Sequence, residues 1–147
     1  MEIVVASGKG GTGKTTVATS LAMVASEQNT IRFLDCDVEA PNARLFLDPE
    51  LDTVKEVGIL IPNVDDDTCT YCGKCAEVCQ FHAIAVIGKK TLVFPELCHG
   101  CGSCTLVCPE NAITEELDVM GVLESGNAIK NIDFAQGVMN IGEPMAV

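Results

Sequence analysis

Short apolar runs separated by glycine-rich or acidic stretches set the pattern of the chain. The run EIVVA at Glu2–Ala6 is apolar and β-branched, which predicts a buried parallel strand. A helix is predicted next, from Lys14 to about Ser26, and a second strand over TIRFL at Thr30–Leu34. Strand, helix and strand in this order predict an α/β fold.

The rest of the chain contains several more apolar runs. They predict strands over Val54–Ile61, Ala85–Ile87, Thr91–Phe94, Val119–Glu124 and Ile129–Ile141. Gly88-Lys89-Lys90 is predicted to be a hairpin loop, and Ser125-Gly126-Asn127 a turn. The acidic stretch that begins at Asn63 is predicted to be a hinge. We therefore expect three segments, at 1–62, 63–116 and 117–147.

Amino-acid composition and charge indicate which kinds of binding partner and which cellular compartment to expect. Only 4% of the 147 residues are aromatic, and the formal net charge is −12. Such a charge disfavours binding to nucleic acid and suits a basic protein partner. No signal peptide or membrane segment is apparent, so the cysteines are expected to be thiolates in a soluble, cytoplasmic protein rather than disulfides. Eight of the nine are expected to be metal ligands, and Cys36 is expected to be buried as a small hydrophobic residue.

A glycine-rich stretch follows the first predicted strand and satisfies the pattern G-x-x-x-x-G-K-[ST]. Its backbone amides are expected to bind the phosphates of ATP or ADP, and the following helix directs its positive end at the same phosphates. Lys14 is expected to contact the β- and γ-phosphates, and the Thr15 hydroxyl to bind Mg²⁺. The predicted binding residues are Gly8, Lys9, Gly10, Gly11, Thr12, Gly13, Lys14, Thr15 and Thr16.

A cysteine motif occurs twice in the middle of the chain. CTYCGKCAEVC begins at Cys69, and CHGCGSCTLVC begins at Cys98, 29 residues later. Each copy reads C-x2-C-x2-C-x3-C, which is the run that holds [4Fe–4S] clusters. Zinc is the competing metal, but zinc sites usually pair C-x2-C elbows across a longer spacer. The sequence therefore predicts two [4Fe–4S] clusters.

The loop GKGGTGKTT resembles the deviant Walker A loop of the MinD/ParA/Mrp group of P-loop ATPases. The resemblance implies that Lys9 reaches the nucleotide of a partner subunit, in a nucleotide-dependent homodimer or a related heterodimer. The stretch DCDVEAPN is similar to the switch I segment of that group. By this match Asp37 is the catalytic candidate that orients water, together with Lys14 and Lys9, and Asp35 supports Mg²⁺. Capping of the helix predicted at Ala43–Leu47, by Asp37 or Asn42, is the alternative.

The cysteine segment resembles a bacterial-type ferredoxin with two clusters. In such ferredoxins the fourth cysteine of each run binds the cluster of the other run. The resemblance thus implies one ligand set of Cys69, Cys72, Cys75 and Cys108, and another of Cys98, Cys101, Cys104 and Cys79. The expected fold is an α/β P-loop NTPase portion, with an incomplete parallel sheet, into which an α+β 2[4Fe–4S] ferredoxin domain is inserted.

Together the two resemblances imply an ATP-binding and hydrolysing iron–sulfur protein. It would couple its nucleotide state to electron transfer, or to interaction with a redox or iron–sulfur protein partner. The alternatives are an Mrp-like ATPase that assembles or carries clusters, and a MinD-like spatial organiser. The switch II half of the ATPase is not found in these residues, so hydrolysis is expected of the full-length protein rather than of this chain alone.

Overall fold

The structure is a computed structural model and describes residues 1–142. Residues 143–147 of the predicted segment 117–147 therefore lie outside the described part. The chain forms two compact units. The first, called the loop unit here, contains Met1–Val57 and the chain from Met120 onward, and the second, called the cysteine unit, contains Gly58–Val119.

Helices are short apart from the first, and two strands are long. The helices are α1 (Lys14–Ala25), α2 (Arg44–Leu47), α3 (Lys74–Val78) and α4 (Ser103–Val107). The strands are β1 (Arg32–Asp35), β2 (Glu50–Val64), β3 (Ile84–Val86), β4 (Thr91–Val93), β5 (Ile113–Ala128) and β6 (Ile132–Met139). Single 3₁₀ turns lie at Pro95–Leu97 and Ile129–Asn131. The predicted first helix is confirmed, and β1 lies within two residues of its predicted start and one of its predicted end.

The larger sheet has the strand order β1-β6-β5-β2. Strands β1 and β6 are parallel, with Phe33 opposite Phe134, whereas β5 and β6 are antiparallel, with Val122 opposite Val138. The sheet is therefore mixed, whereas the sequence led us to expect an incomplete parallel sheet. The reason is the tight turn between β5 and β6, because a short connection can join only antiparallel strands.

The core of the loop unit lies between this sheet and the two helices α1 and α2. Phe134 and Ile132 on β6 are fully buried, as is Leu47 on α2, and Ala22 brings α1 against them. The rings of Phe33 and Phe134 stack across β1 and β6 with centroids 5.9 Å apart. Apolar packing thus fixes α1, and with it the loop that precedes α1, on the sheet.

The predicted strand at Glu2–Ala6 is not formed, because these residues have no strand partner among residues 1–142. Ile3 and Val4 are exposed by 55% and 77%. A β-branched run favours a strand mainly through packing against neighbouring strands, so sequence preference alone does not create one here.

The turn predicted at Ser125-Gly126-Asn127 is also wrong, since β5 continues through it to Ala128. A Cβ on Gly126 would lie 1.9 Å from the carbonyl oxygen of Glu50, so the glycine serves a close approach of two backbones. The chain reverses instead at Lys130 and Asn131, which both have positive φ. Two consecutive residues with positive φ suit a tight hairpin turn.

The cysteine unit is built from two short helices and a hairpin. Strands β3 and β4 are antiparallel, with Ala85 opposite Leu92, which confirms the predicted hairpin. Helices α3 and α4 pack on each other. The buried centre contains Ile84, Ile113 and Cys75, and much of the surrounding layer is cysteine. Among the described residues, this unit therefore buries few large apolar side chains.

Candidate functional site

The glycine-rich loop lies directly before α1 and is held by its own side chains. The Thr12 hydroxyl donates to the Ser7 hydroxyl oxygen at 2.8 Å, and the Ser7 hydroxyl donates to the carbonyl of Lys9 at 2.8 Å. Gly13 is the N-cap of α1 and has a φ of 87°, and Gly11 has a φ of 72°. Glycine is needed at these two positions because L side chains rarely adopt that backbone conformation.

Gly8 and Gly10 have a different explanation. Neither has a positive φ, and a Cβ at either position would meet no other atom within 4 Å. The conformation and packing of this chain therefore do not demand glycine there. A missing side chain at such a position allows a ligand to approach the backbone amides, which is what phosphate binding requires.

The first turn of α1 carries the polar side chains predicted to meet the nucleotide. Lys14 and Thr15 are half-buried and Thr16 is exposed. Below them, the Thr19 hydroxyl donates to the carbonyl of Thr15 at 2.8 Å, and Thr19 is 1% exposed. This buried bond fixes the turn that presents Lys14 and Thr15. Lys9 is exposed in the loop.

The two candidate aspartates after β1 differ in what they contact. Both carboxylate oxygens of Asp35 accept backbone N–H bonds, from Asp37 at 3.1 Å and from Ala43 at 3.0 Å. Asp37 is exposed. No side chain caps α2, so the alternative role of Asp37 or Asn42 as a helix cap is wrong. Asp35 instead holds the segment between β1 and α2.

In the cysteine unit, two open cavities divide the cysteines of the repeats. Both cavities are open to solvent. The cysteines that line the first are Cys69, Cys72, Cys75 and Cys108. Those that line the second are Cys79, Cys98, Cys101 and Cys104. Each cavity thus combines three cysteines of one run with the last cysteine of the other.

Backbone amides point at the cysteine sulfurs in equivalent places of the two repeats. The N–H groups of Tyr71 and Gly100 donate to Cys69 and Cys98, at 3.4 and 3.5 Å. Those of Ala83 and Ala112 donate to Cys79 and Cys108, both at 3.3 Å. Such bonds stabilise negative charge on sulfur, so both cavities suit thiolates.

Burial of the thiols instead disfavours negative charge on sulfur. It is the largest influence that raises the pKa of Cys75 and of Cys104, and neighbouring cysteines add repulsion. At the exposed Cys101, a hydrogen bond with the Ser103 hydroxyl lowers the pKa, while the charge of Glu115 acts against it. Buried thiolates that repel one another are stable only beside positive charge, as a metal centre supplies.

Within residues 1–142, no group of three or more His, Cys, Asp or Glu side chains converges on the position of a single metal ion. The ligands of a cubane cluster bind different irons, so they need to surround a volume rather than meet at one point. The two cavities have that form, with four cysteines lining each.

Cys36 belongs to the loop unit, whereas Phe81 and His99 belong to the cysteine unit. Cys36 is exposed and lines neither cavity, so the expectation that it is buried is wrong. His99 stacks on Phe81, with ring centroids 3.9 Å apart, at the wall of the second cavity. The stack was not anticipated from the sequence, because Phe81 and His99 belong to different repeats.

None of the helices described in residues 1–142 has the length and apolar character needed to traverse a membrane.

Comparison with known proteins places these features in context. Over 101 residues the chain is 46% identical to the uncharacterized protein MJ0578 of Methanocaldococcus jannaschii, a match that covers 68% of this chain and 35% of that protein. Over 102 residues it is 36% identical to the uncharacterized protein MJ0579 of the same organism, covering 68% of this chain and 36% of that protein. The chain thus spans about a third of the length of the curated relatives it matches.

The family described as "CobQ/CobB/MinD/ParA nucleotide binding domain" matches residues 3–142. That range includes the glycine-rich loop, α1 and the mixed sheet, as well as the cysteine unit. The chain therefore belongs to the CobQ/CobB/MinD/ParA family of nucleotide-binding domains.

Proposed function

We propose that this chain is the nucleotide-binding and iron–sulfur part of an ATPase that carries two [4Fe–4S] clusters. The observation that carries the proposal is the division of eight cysteines between two cavities, four to each. In the proposed protein, MgATP and the clusters are bound by one chain. Nucleotide state would then change how the clusters exchange electrons with a partner.

The cavity lining supports thiolate-bound clusters more than zinc. A structural zinc site needs four ligands that converge in a tetrahedron, and no such convergence is found within residues 1–142. Each cavity instead combines four sulfurs with amides directed at them, which is the donor set of a cubane. When bound, the clusters would supply one-electron chemistry, and the protein would hold them and set their potentials.

The small core of the cysteine unit also supports bound clusters. Its buried apolar side chains are those of Ala83, Ile84, Ala112, Ile113 and Cys75. A unit of this size seldom folds stably on so few apolar contacts without disulfides or metal. The eight cysteines of the unit are free thiols rather than disulfides, so bound metal is the stabilising element that these side chains can supply.

The nucleotide part of the proposal rests on the loop. Lys14 and Thr15 would bind the β- and γ-phosphates and Mg²⁺, and the amides at Gly8–Gly13 would surround the phosphates. Exposed Asp37 is the candidate that positions water. Exposed Lys9 is the candidate that contacts the nucleotide of a partner subunit, so we propose a nucleotide-dependent dimer. The acidic surface suits a basic redox partner in a reducing, cytoplasmic setting.

The first test is the metal content of the protein. After anaerobic purification or reconstitution, we expect about eight irons and about eight sulfides per chain, with no stoichiometric zinc. Dithionite reduction should give the electron paramagnetic resonance (EPR) spectrum of two interacting [4Fe–4S]⁺ clusters. Zinc in place of iron, at one or two atoms per chain, would contradict the proposal.

The second test concerns coupling between nucleotide and clusters. Coupling between two sites is reciprocal, typically fivefold or more in affinity. If saturating MgATP shifts a cluster potential, cluster reduction must change the affinity for ATP by the corresponding factor. The two measurements are redox titration with and without MgATP, and ATP titration of the oxidised and reduced protein. Coupling would be disproved by potentials and affinities that stay constant in both.

A further inference from the structure

The two cavities are related by the internal repeat, so their walls can be compared position by position. An offset of 29 residues relates Cys69 to Cys98, and the same offset relates Val86 to Glu115. Val86 lines the first cavity and Glu115 lines the second. One position of the repeat thus carries an apolar side chain beside one set of cysteines and a carboxylate beside the other.

The Glu115 carboxylate is held in place by two features of the second repeat. The Thr105 hydroxyl donates to Oε1 of Glu115 at 2.9 Å. The same oxygen lies 2.9 Å from the point where a Cβ on Gly102 would stand, so the carboxylate occupies the space beside a glycine whose φ of 70° itself disfavours a side chain. At the equivalent place in the first repeat, a Cβ on Gly73 would meet nothing within 4 Å. The positions that match Thr105 and Glu115 there are Ala76 and Val86.

The other differences between the cavities either also favour a higher potential in the first cavity or cancel each other. In the first cavity, the Thr91 hydroxyl lies 3.7 Å from the Cys69 sulfur. The residue 29 positions before Thr91 is Pro62, which lines the second cavity. Proline has no side-chain hydrogen-bond donor, so the Cys98 sulfur has no hydroxyl at the matching place. The first cavity is also lined by one cation and one anion, Lys74 and Glu110, whose charges oppose each other.

Besides the cysteines, the titratable side chains that line the second cavity are Glu115 and His99. The His99 ring stacks on Phe81, whereas the Glu115 carboxylate is near enough to Cys101 to repel its thiolate. The Ser103 hydroxyl lies 3.5 Å from the Cys101 sulfur, and its hydrogen bond lowers the pKa of that thiol more than Glu115 raises it. Ser103 acts on one sulfur as a neutral hydrogen-bonding group, whereas Glu115 adds a full negative charge to the lining of the whole cavity.

We propose that the negative charge of Glu115 lowers the redox potential of the cluster bound in the second cavity. That cluster would then have the lower potential of the two. The inference rests on the proposed function, since it concerns clusters held by these cysteines. A fixed negative charge disfavours the gain of an electron by a neighbouring centre, whereas a valine does not. The two sites would therefore differ in redox potential, and transfer of an electron from the second site to the first would be favourable.

The test uses the isosteric substitution Glu115→Gln in the reconstituted protein. Gln keeps an oxygen to accept the Thr105 hydrogen bond and removes the charge. We expect the lower midpoint potential to rise while the higher one stays, favouring electron gain by roughly threefold to tenfold, where tenfold is about 59 mV for one electron. The reciprocal change Val86→Glu should lower the higher midpoint. EPR-monitored redox titration measures both.

Glu116→Gln is the matched control, because Glu116 is the next residue on β5 and lines neither cavity. Its Oε1 accepts from Asn63, a bond that Gln can also accept. Unchanged midpoints in Glu115→Gln, or equal shifts of both, would overturn the assignment. Metal content separates this outcome from failure of the proposed function. If the protein binds about eight irons but Glu115→Gln leaves the midpoint potentials unchanged, only the proposed difference in potential is refuted. If the protein binds no iron, the proposed clusters themselves are refuted.

Discussion

Replacing Cys69 and Cys108 together by alanine is expected to leave about one intact [4Fe–4S] cluster per chain, whereas replacing Cys98 and Cys108 together is expected to leave none. Each double variant removes two of the nine cysteines, so the loss of thiols is matched. The difference arises because Cys69 and Cys108 line one cavity, while Cys98 lines the other. Spin quantification of the reduced protein by EPR, with iron analysis, measures the intact clusters.

The opposite order would show that each run of four cysteines holds its own cluster. In that case Cys98 and Cys108 share a site, and their joint loss spares the cluster of the first run. Cys36→Ala is the control for the loss of a cysteine as such, since Cys36 is exposed and lines neither cavity. It should retain both clusters. Equal loss in the two double variants would contradict both groupings.

The sequence predicted the local elements best where one short-range rule decides the outcome. Helix α1 follows a glycine N-cap, and the β3–β4 hairpin surrounds Gly88, which has a positive φ of 62°. Both elements were predicted because the residues that shape them are adjacent in the chain. The cysteine spacing is of the same kind, since it is a local pattern.

What the sequence could not show depends on residues far apart in the chain. Gly126 looks like a turn residue, but its role follows from the backbone of Glu50, which approaches it from another strand. The segment Glu2–Ala6 has the composition of a strand, but strand formation needs a partner. Long-range pairing of this kind leaves no signal in a window of neighbouring residues.

In the candidate sites, too, local patterns were predicted and long-range contacts were not. The sequence indicated Lys14, Thr15 and the cysteines, whose spacing is local. Glu115 lies next to the end of the predicted segment 63–116, and the repeat offset pairs it with Val86. A comparison of the two repeats at every position, and not only at the cysteines, would have found that difference. The hydrogen bonds of Asp35 required the structure, because Ala43 lies eight residues away.

Lys14→Ala is expected to weaken MgATP binding by about tenfold to a hundredfold, because a charged hydrogen bond to phosphate contributes about 1.5–3 kcal/mol. Lys14 is the first residue of α1, where the helix N-terminus also favours phosphate. Calorimetric titration of the cluster-loaded protein with MgATP measures the change. Iron content should stay constant, since Lys14 belongs to the loop unit and lines neither cavity.

Two further lysines make this prediction specific. Lys89→Ala removes the same charge from the exposed hairpin loop of the cysteine unit and should leave MgATP affinity unchanged. Lys9→Ala should weaken nucleotide-dependent dimerisation, measured by light scattering, more than it weakens binding to the monomer. If the loop bound phosphate only through general positive charge, all three variants would lose affinity alike, since attraction that depends on net charge does not distinguish their positions. Distinct effects require that Lys14 contacts the phosphate itself.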